Sequence, residues 1–123
     1  MKLIIGGAYQ GKLSTAKRLY NVSDEECFNC REGIDYSKKL LYNFDRYIFE
    51  LTKKGISACK FIVENISKLE DKIIIMNDVS SGVVPVDYTE RKWREEVGRV
   101  GVQLSKISDE VIRVFCAIPT RLK

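Results

Sequence analysis

Near the start of the chain, the apolar run Leu3-Ile4-Ile5 stops at Gly6-Gly7-Ala8-Tyr9-Gln10-Gly11-Lys12, after which Leu13, Ala16 and Tyr20 recur at helical spacing. A short, fully apolar run is what a strand buried on both faces requires, so the unit reads as strand, glycine turn and helix. The turn fits G-x-x-x-x-G-K in the strand-to-helix setting that a phosphate-binding loop needs. Glycines let the backbone curl until successive N–H groups converge on phosphate oxygens, and the helix start adds partial positive charge. The expected ligand is ATP or GTP, held by Gly6, Gly7, Ala8, Tyr9, Gln10, Gly11, Lys12, Leu13 and Ser14, with Lys12 as the catalytic cation on the β- and γ-phosphates. One residue departs from the pattern. Leu13 stands where a Ser or Thr hydroxyl would coordinate Mg²⁺, and Ser14 lies about 100° further round the helix. Mg²⁺ is therefore expected to be weakly held, through water and other residues.

The rest of the chain alternates apolar strands with amphipathic helices. Residues Glu25 to Cys30 offer a weak strand. Leu40, Leu41, Phe44, Tyr47, Ile48 and Leu51 fall at intervals of three and four. Gly55 and Ser57 then read as a stop and an N-cap, and Ala58, Phe61, Ile62, Ile66 and Leu69 form a second stripe. Residues 36 to 70 are thus expected to form a helical hairpin. Ile73 to Met76 reads as a second buried strand. A long helix follows Asp87, with Trp93, Val97, Val100, Leu104 and Ile107 as its buried stripe, and Val111 to Cys116 closes the pattern as a third strand before a basic tail. Strands separated by helices imply crossover connections, and so an α/β fold: a mostly parallel sheet flanked by helices, with the hairpin inserted in the middle.

Composition narrows the chemistry. The 123 residues fit one domain, 1–123. There is no histidine, which removes imidazole acid–base catalysis, Ser-His and Cys-His nucleophile pairs and phosphohistidine intermediates. The net charge of +4, with both signs interspersed, gives no reason to expect nucleic acid or a membrane surface as partner. No apolar run approaches the ~20 residues of a membrane span and the start lacks a leader pattern, so the expected location is the cytoplasm. Cys27 and Cys30 form a C-x-x-C without a second half; reduced, partly buried thiols are the reading, and a redox pair would need a depressed thiol pKa.

Further acidic and basic candidates lie downstream. Asp78, at the end of the Ile73 to Met76 run, reads either as a Mg²⁺-supporting carboxylate with a catalytic role or as an ordinary turn residue. Arg91, Arg94 and Arg99 alternate with Glu90, Glu95 and Glu96, a pattern of a solvated helix face that is also open to phosphate contact.

Taken together, the opening Gly6-Gly7-Ala8, the run Asn77-Asp78-Val79-Ser80-Ser81-Gly82-Val83-Val84-Pro85, then Arg91, Trp93-Arg94-Glu95, Gly98-Arg99 and Asp109-Glu110-Val111 resemble the adenosylcobinamide kinase and adenosylcobinamide-phosphate guanylyltransferase family of cobalamin biosynthesis. The resemblance covers roughly the first twenty residues and the part after Lys72; Ser80 stands where that family has a glycine. It implies nucleotide-dependent transfer of phosphate to cobinamide, a corrinoid, with Asn77, Arg91 and Arg94 on the substrate, and assembly as a homo-oligomer, a trimer. The family's Asp-Cys-Leu-Thr strand and its guanylyl-accepting histidine are both expected to be missing, which describes a shortened member. A non-catalytic nucleotide- or corrinoid-binding paralogue is the alternative.

Overall fold

In the computed structural model, residues 1–79 and 87–123 are described. The stretch Ser80 to Pro85, quoted above for its resemblance, lies outside them. Among the described residues six strands form one sheet: β1 (Lys2–Gly6), β2 (Cys27–Asn29), β3 (Leu40–Tyr42), β4 (Ile73–Asn77), β5 (Glu110–Phe115) and β6 (Ile118–Arg121), in the order β2-β3-β4-β1-β5-β6. All neighbours are parallel except β5 and β6. The strand that leads into the glycine loop, β1, is central, flanked by β4 in the register Gly6↔Asn77 and by β5 in the register Leu3↔Val111.

Helices cover both faces: α1 (Lys12–Tyr20), α2 (Phe44–Lys53), α3 (Ala58–Glu64), α4 (Ile66–Leu69) and α5 (Tyr88–Ile107). Because successive strand side chains point to opposite faces, Leu3, Leu41, Ile74 and Met76 pack with Phe44, Ile48, Val97, Val100 and Leu104, while Ile4, Leu40, Ile73 and Ile75 pack with Ala16 and Val22 on the α1 side. Asp87 caps α5 by accepting from the N–H groups of Thr89 (2.7 Å) and Glu90 (3.2 Å), and Ser57 caps α3 by accepting from Lys60 N–H.

Several expectations change. The helical hairpin begins at Phe44, not at residue 36, because Leu40 and Leu41 belong to a strand whose partners are Ile73 and Ile74. Their helical spacing to Phe44 was incidental; one Leu fills each face of the sheet, a demand that local periodicity does not carry. The middle of the chain thus contributes a strand of its own, β3, which does not carry an Asp-Cys-Leu-Thr sequence. The second helix of the hairpin breaks at Asn65, whose side chain donates to the Phe61 carbonyl at 2.8 Å. On α5, Ile107 is exposed and Trp93 only half-buried, and Glu96 joins the buried stripe. The tail pairs as β6, with Cys116 and Ala117 in the left-handed region as the connecting turn. Among the described residues no helix is long and apolar enough to cross a membrane.

Candidate nucleotide-binding site

The loop leaves β1 where the sheet is tightest. A Cβ on Gly6 would stand 2.4 Å from the Val114 carbonyl oxygen, so only glycine lets β1 and β5 pair there. Gly11, at φ 81°, starts α1 from the left-handed region, and Tyr9, at φ 59°, projects fully into solvent. Gln10 fastens the loop to the β5–β6 turn: its side-chain oxygen accepts from Cys116 N–H at 2.6 Å and its carbonyl from Ala117 N–H at 2.8 Å. A loop anchored this way is organised before a ligand arrives, which lowers the entropy that binding must overcome.

Lys12 is buried within the loop, and its ammonium donates to the Gly7 carbonyl at 2.6 Å. Burial lowers its pKa, partly offset by the charge of Asp45. The sequence-expected site residues Ala8 to Ser14 line one cleft, about 550 Å³ in volume, together with Lys17, Tyr42, Asn43, Ile75 and Asn77. Lys17 is paired with Asp24. Leu13 packs toward the α1-side core, and the Ser14 hydroxyl donates back to the Gly11 carbonyl at 3.2 Å. Neither residue therefore replaces the usual metal-binding hydroxyl.

Asp45 is the residue that sequence reasoning missed. It lies in the first turn of α2, is almost completely buried, and accepts from Asn77 N–H at 3.0 Å, while its other carboxylate oxygen has no hydrogen-bond partner. Its backbone carbonyl accepts from the Trp93 indole at 2.7 Å. Burial raises its pKa, opposed by the Asn77 N–H and by the charges of Arg46 and Lys12. The signal was present: Asp45 stands three residues before Ile48, on the inward stripe of α2, where an acid is anomalous.

The other predicted residues distribute unevenly. Asp78 donates its N–H to the Gly6 carbonyl at 2.8 Å, and with Asn77 it borders a second groove, about 260 Å³, against Val97, Gly98 and Gly101 of α5. Arg94 donates to the Val79 carbonyl, whereas Arg91 is exposed beside Tyr88, Lys92 and Glu95. Neither arginine lines the loop cleft. Among the described residues no three Cys, Asp or Glu side chains cluster as a metal site would require. For the C-x-x-C pair, burial raises the Cys27 pKa and pushes Cys30 up to about 12, opposite to a reactive thiol.

Against known proteins, residues 37–122 match the family described as cobinamide kinase / cobinamide phosphate guanyltransferase. The chain belongs to this family. The match includes β3 and the helices of the middle segment, so the cobinamide kinase / guanyltransferase relation extends over the part that sequence reading had set apart. It begins beyond the phosphate loop, whose assignment rests on its motif and geometry. No curated protein matches the chain. Membership places this chain among nucleotide-using transferases of cobalamin biosynthesis.

Proposed function

We propose that this protein is a cobinamide kinase, transferring the γ-phosphoryl group of ATP or GTP to the hydroxyl of cobinamide. The observation that carries the reading is the anchored Gly6 to Lys12 loop opening onto a cleft, with the Lys12 ammonium held on the Gly7 carbonyl. In the reaction the hydroxyl oxygen bonds to the γ-phosphorus, the bond to the β-phosphate oxygen breaks, and the hydroxyl proton is released as the nucleoside diphosphate leaves. Catalysis of this kind is mainly positioning and charge stabilisation. Lys12 supplies the cation once it turns from the Gly7 carbonyl to the phosphates, and the loop N–H groups supply the dipoles. Asp78 lines the second groove rather than the loop cleft, but its backbone N–H is held on the Gly6 carbonyl at the foot of the loop, so it is the carboxylate that would approach a Mg²⁺ ion on the triphosphate; with Leu13 in the hydroxyl position, phosphate and water would supply the remaining ligands.

The guanylyl step of the family is not expected from this chain, because no imidazole is present to carry the group. Lysine would need its pKa of about 10.4 strongly lowered to serve instead, and Lys12 is required as a cation. A second reading, a binding paralogue without turnover, is favoured by one observation: the Leu13 side chain is committed to the core. A single experiment separates them. Incubated with cobinamide and doubly labelled GTP or ATP, the kinase moves γ-label to the corrinoid and leaves no α-label on the denatured protein. Nucleotide bound but never consumed supports the paralogue, and a stoichiometric α-label contradicts the kinase-only assignment.

A further inference from the structure

The two walls of the loop cleft differ in chemistry. One is the loop and the first turns of α1, Ala8 to Ser14 with Lys17; the other is made at the strand ends by Tyr42, Asn43, Ile75 and Asn77, whose side chains are neutral and partly polar. The amides of the second wall sit at neighbouring strand ends. Asn29 finishes β2, Asn43 follows β3 and Asn77 finishes β4, all at the carboxyl edge of the sheet. Asn43 occupies the N-cap of α2 at φ 56°, yet its side chain makes no capping hydrogen bond; it donates to Asn29 Oδ1 at 3.0 Å instead. That leaves its own carbonyl oxygen available to the cleft. The Asn77 backbone is pinned by Asp45, and its carboxamide makes no hydrogen bond among the described residues. An unengaged carboxamide presents one acceptor and two donors in fixed geometry.

We propose that Tyr42, Asn43 and Asn77 form the acceptor subsite, recognising a neutral ligand through amide–amide hydrogen bonds, with Ile75 and the Tyr42 ring giving an apolar seat. The inference rests on the kinase reading and adds to it which wall takes the acceptor, and by what chemistry. Cobinamide suits such a wall, since its corrin ring is rimmed with acetamide and propionamide arms. A phosphate-bearing group suits it less, because none of these four side chains is a cation and the nearby Lys17 is already paired with Asp24. The division of labour follows: charge holds the donor on the loop, neutral pairing holds the acceptor opposite, and the transferred group lies between.

Direct binding tests this without depending on turnover. Asn43→Gly keeps the left-handed backbone while removing the carboxamide, and Asn77→Ala keeps the N–H that Asp45 holds. Cobinamide affinity, followed by its visible absorbance, is expected to fall about five- to tenfold in each variant, the effect of losing one neutral hydrogen bond. A fluorescent nucleoside triphosphate should bind within twofold of the wild type, which also reports an intact fold. Cobinamide whose peripheral amides have been hydrolysed to carboxylates should bind the wild type weakly and be indifferent to the substitutions. Unchanged cobinamide affinity in both variants overturns the subsite alone. Loss of triphosphate binding with corrinoid binding retained overturns it in favour of nucleobase recognition. A wild type that binds triphosphate but no cobinamide overturns the kinase reading and the subsite together.

Discussion

The loop wall of the cleft and the wall facing it are built in opposite ways. Gly6 to Lys12 is contiguous in the chain, shaped by local backbone geometry and anchored through Gln10 to a turn on β5–β6. Tyr42, Asn43, Ile75 and Asn77 come from two strands with three helices between them, and are brought together only by the pairing of β3 with β4. The loop also precedes the stretch that matches the cobinamide kinase / guanyltransferase family, whereas the facing wall lies inside it. A contiguous site advertises itself by spacing. An assembled one is invisible until the sheet order is known, even though it lies within the stretch that matches the family.

The largest expected effect breaks the loop wall at its root. Gly6→Ala puts a methyl group into the Val114 carbonyl, so urea denaturation should register a loss of about 3 kcal/mol, the upper end for overpacking. Stability within 0.5 kcal/mol of wild type, a margin of about the size of a neutral surface change, would mean that β1 and β5 separate there freely. Next comes Lys12→Ala, which removes a charge-assisted contact worth about 1.5–3 kcal/mol. Triphosphate affinity should drop at least tenfold, by calorimetry on protein with native circular dichroism. An unchanged affinity would remove the loop from the site and leave the facing wall to explain any nucleotide binding.

The smallest effect sharpens the comparison, because Asp45 touches both walls: it pins Asn77 and acts electrostatically on Lys12. Its folded-state pKa is raised, chiefly by burial. The native state therefore holds this proton more tightly than the unfolded chain, and the contribution of Asp45 to stability falls as pH rises above the unfolded value of about 3.9. Asp45→Asn keeps an acceptor for the Asn77 N–H and removes the buried charge. Denaturation midpoints should show the variant gaining on wild type between pH 4 and pH 7, with the two converging at the acid end. A gap that is constant with pH would place the charge of Asp45 outside the energetics of the fold.

The strand-turn-helix unit was legible because every demand on it is local. A parallel strand must be apolar throughout, a phosphate cradle needs glycines where a Cβ would obstruct, and Lys12 must follow at once. The cap at Asp87, the Val97-Val100-Leu104 stripe and the Ile73 to Met76 strand were legible for the same reason. Leu40 and Leu41 misled because two adjacent leucines before Phe44 satisfy a helical stripe as well as a two-faced strand. The choice between those states was made by pairing energy with Ile73 and Ile74, which local sequence does not contain.

The sequence by itself thus determined the fold class, the glycine turn from β1 into α1 and the lack of any imidazole, since each follows from residue type and short-range spacing. Tertiary structure alone decided that β3 exists, that Asp45 is buried behind the cleft, that Arg91 and Arg94 do not line it, and that amides meet at neighbouring strand ends. The physical reason is range. Backbone curvature and helix periodicity act over a few residues, while burial, strand order and the facing of one side chain by another depend on how distant segments share a single core.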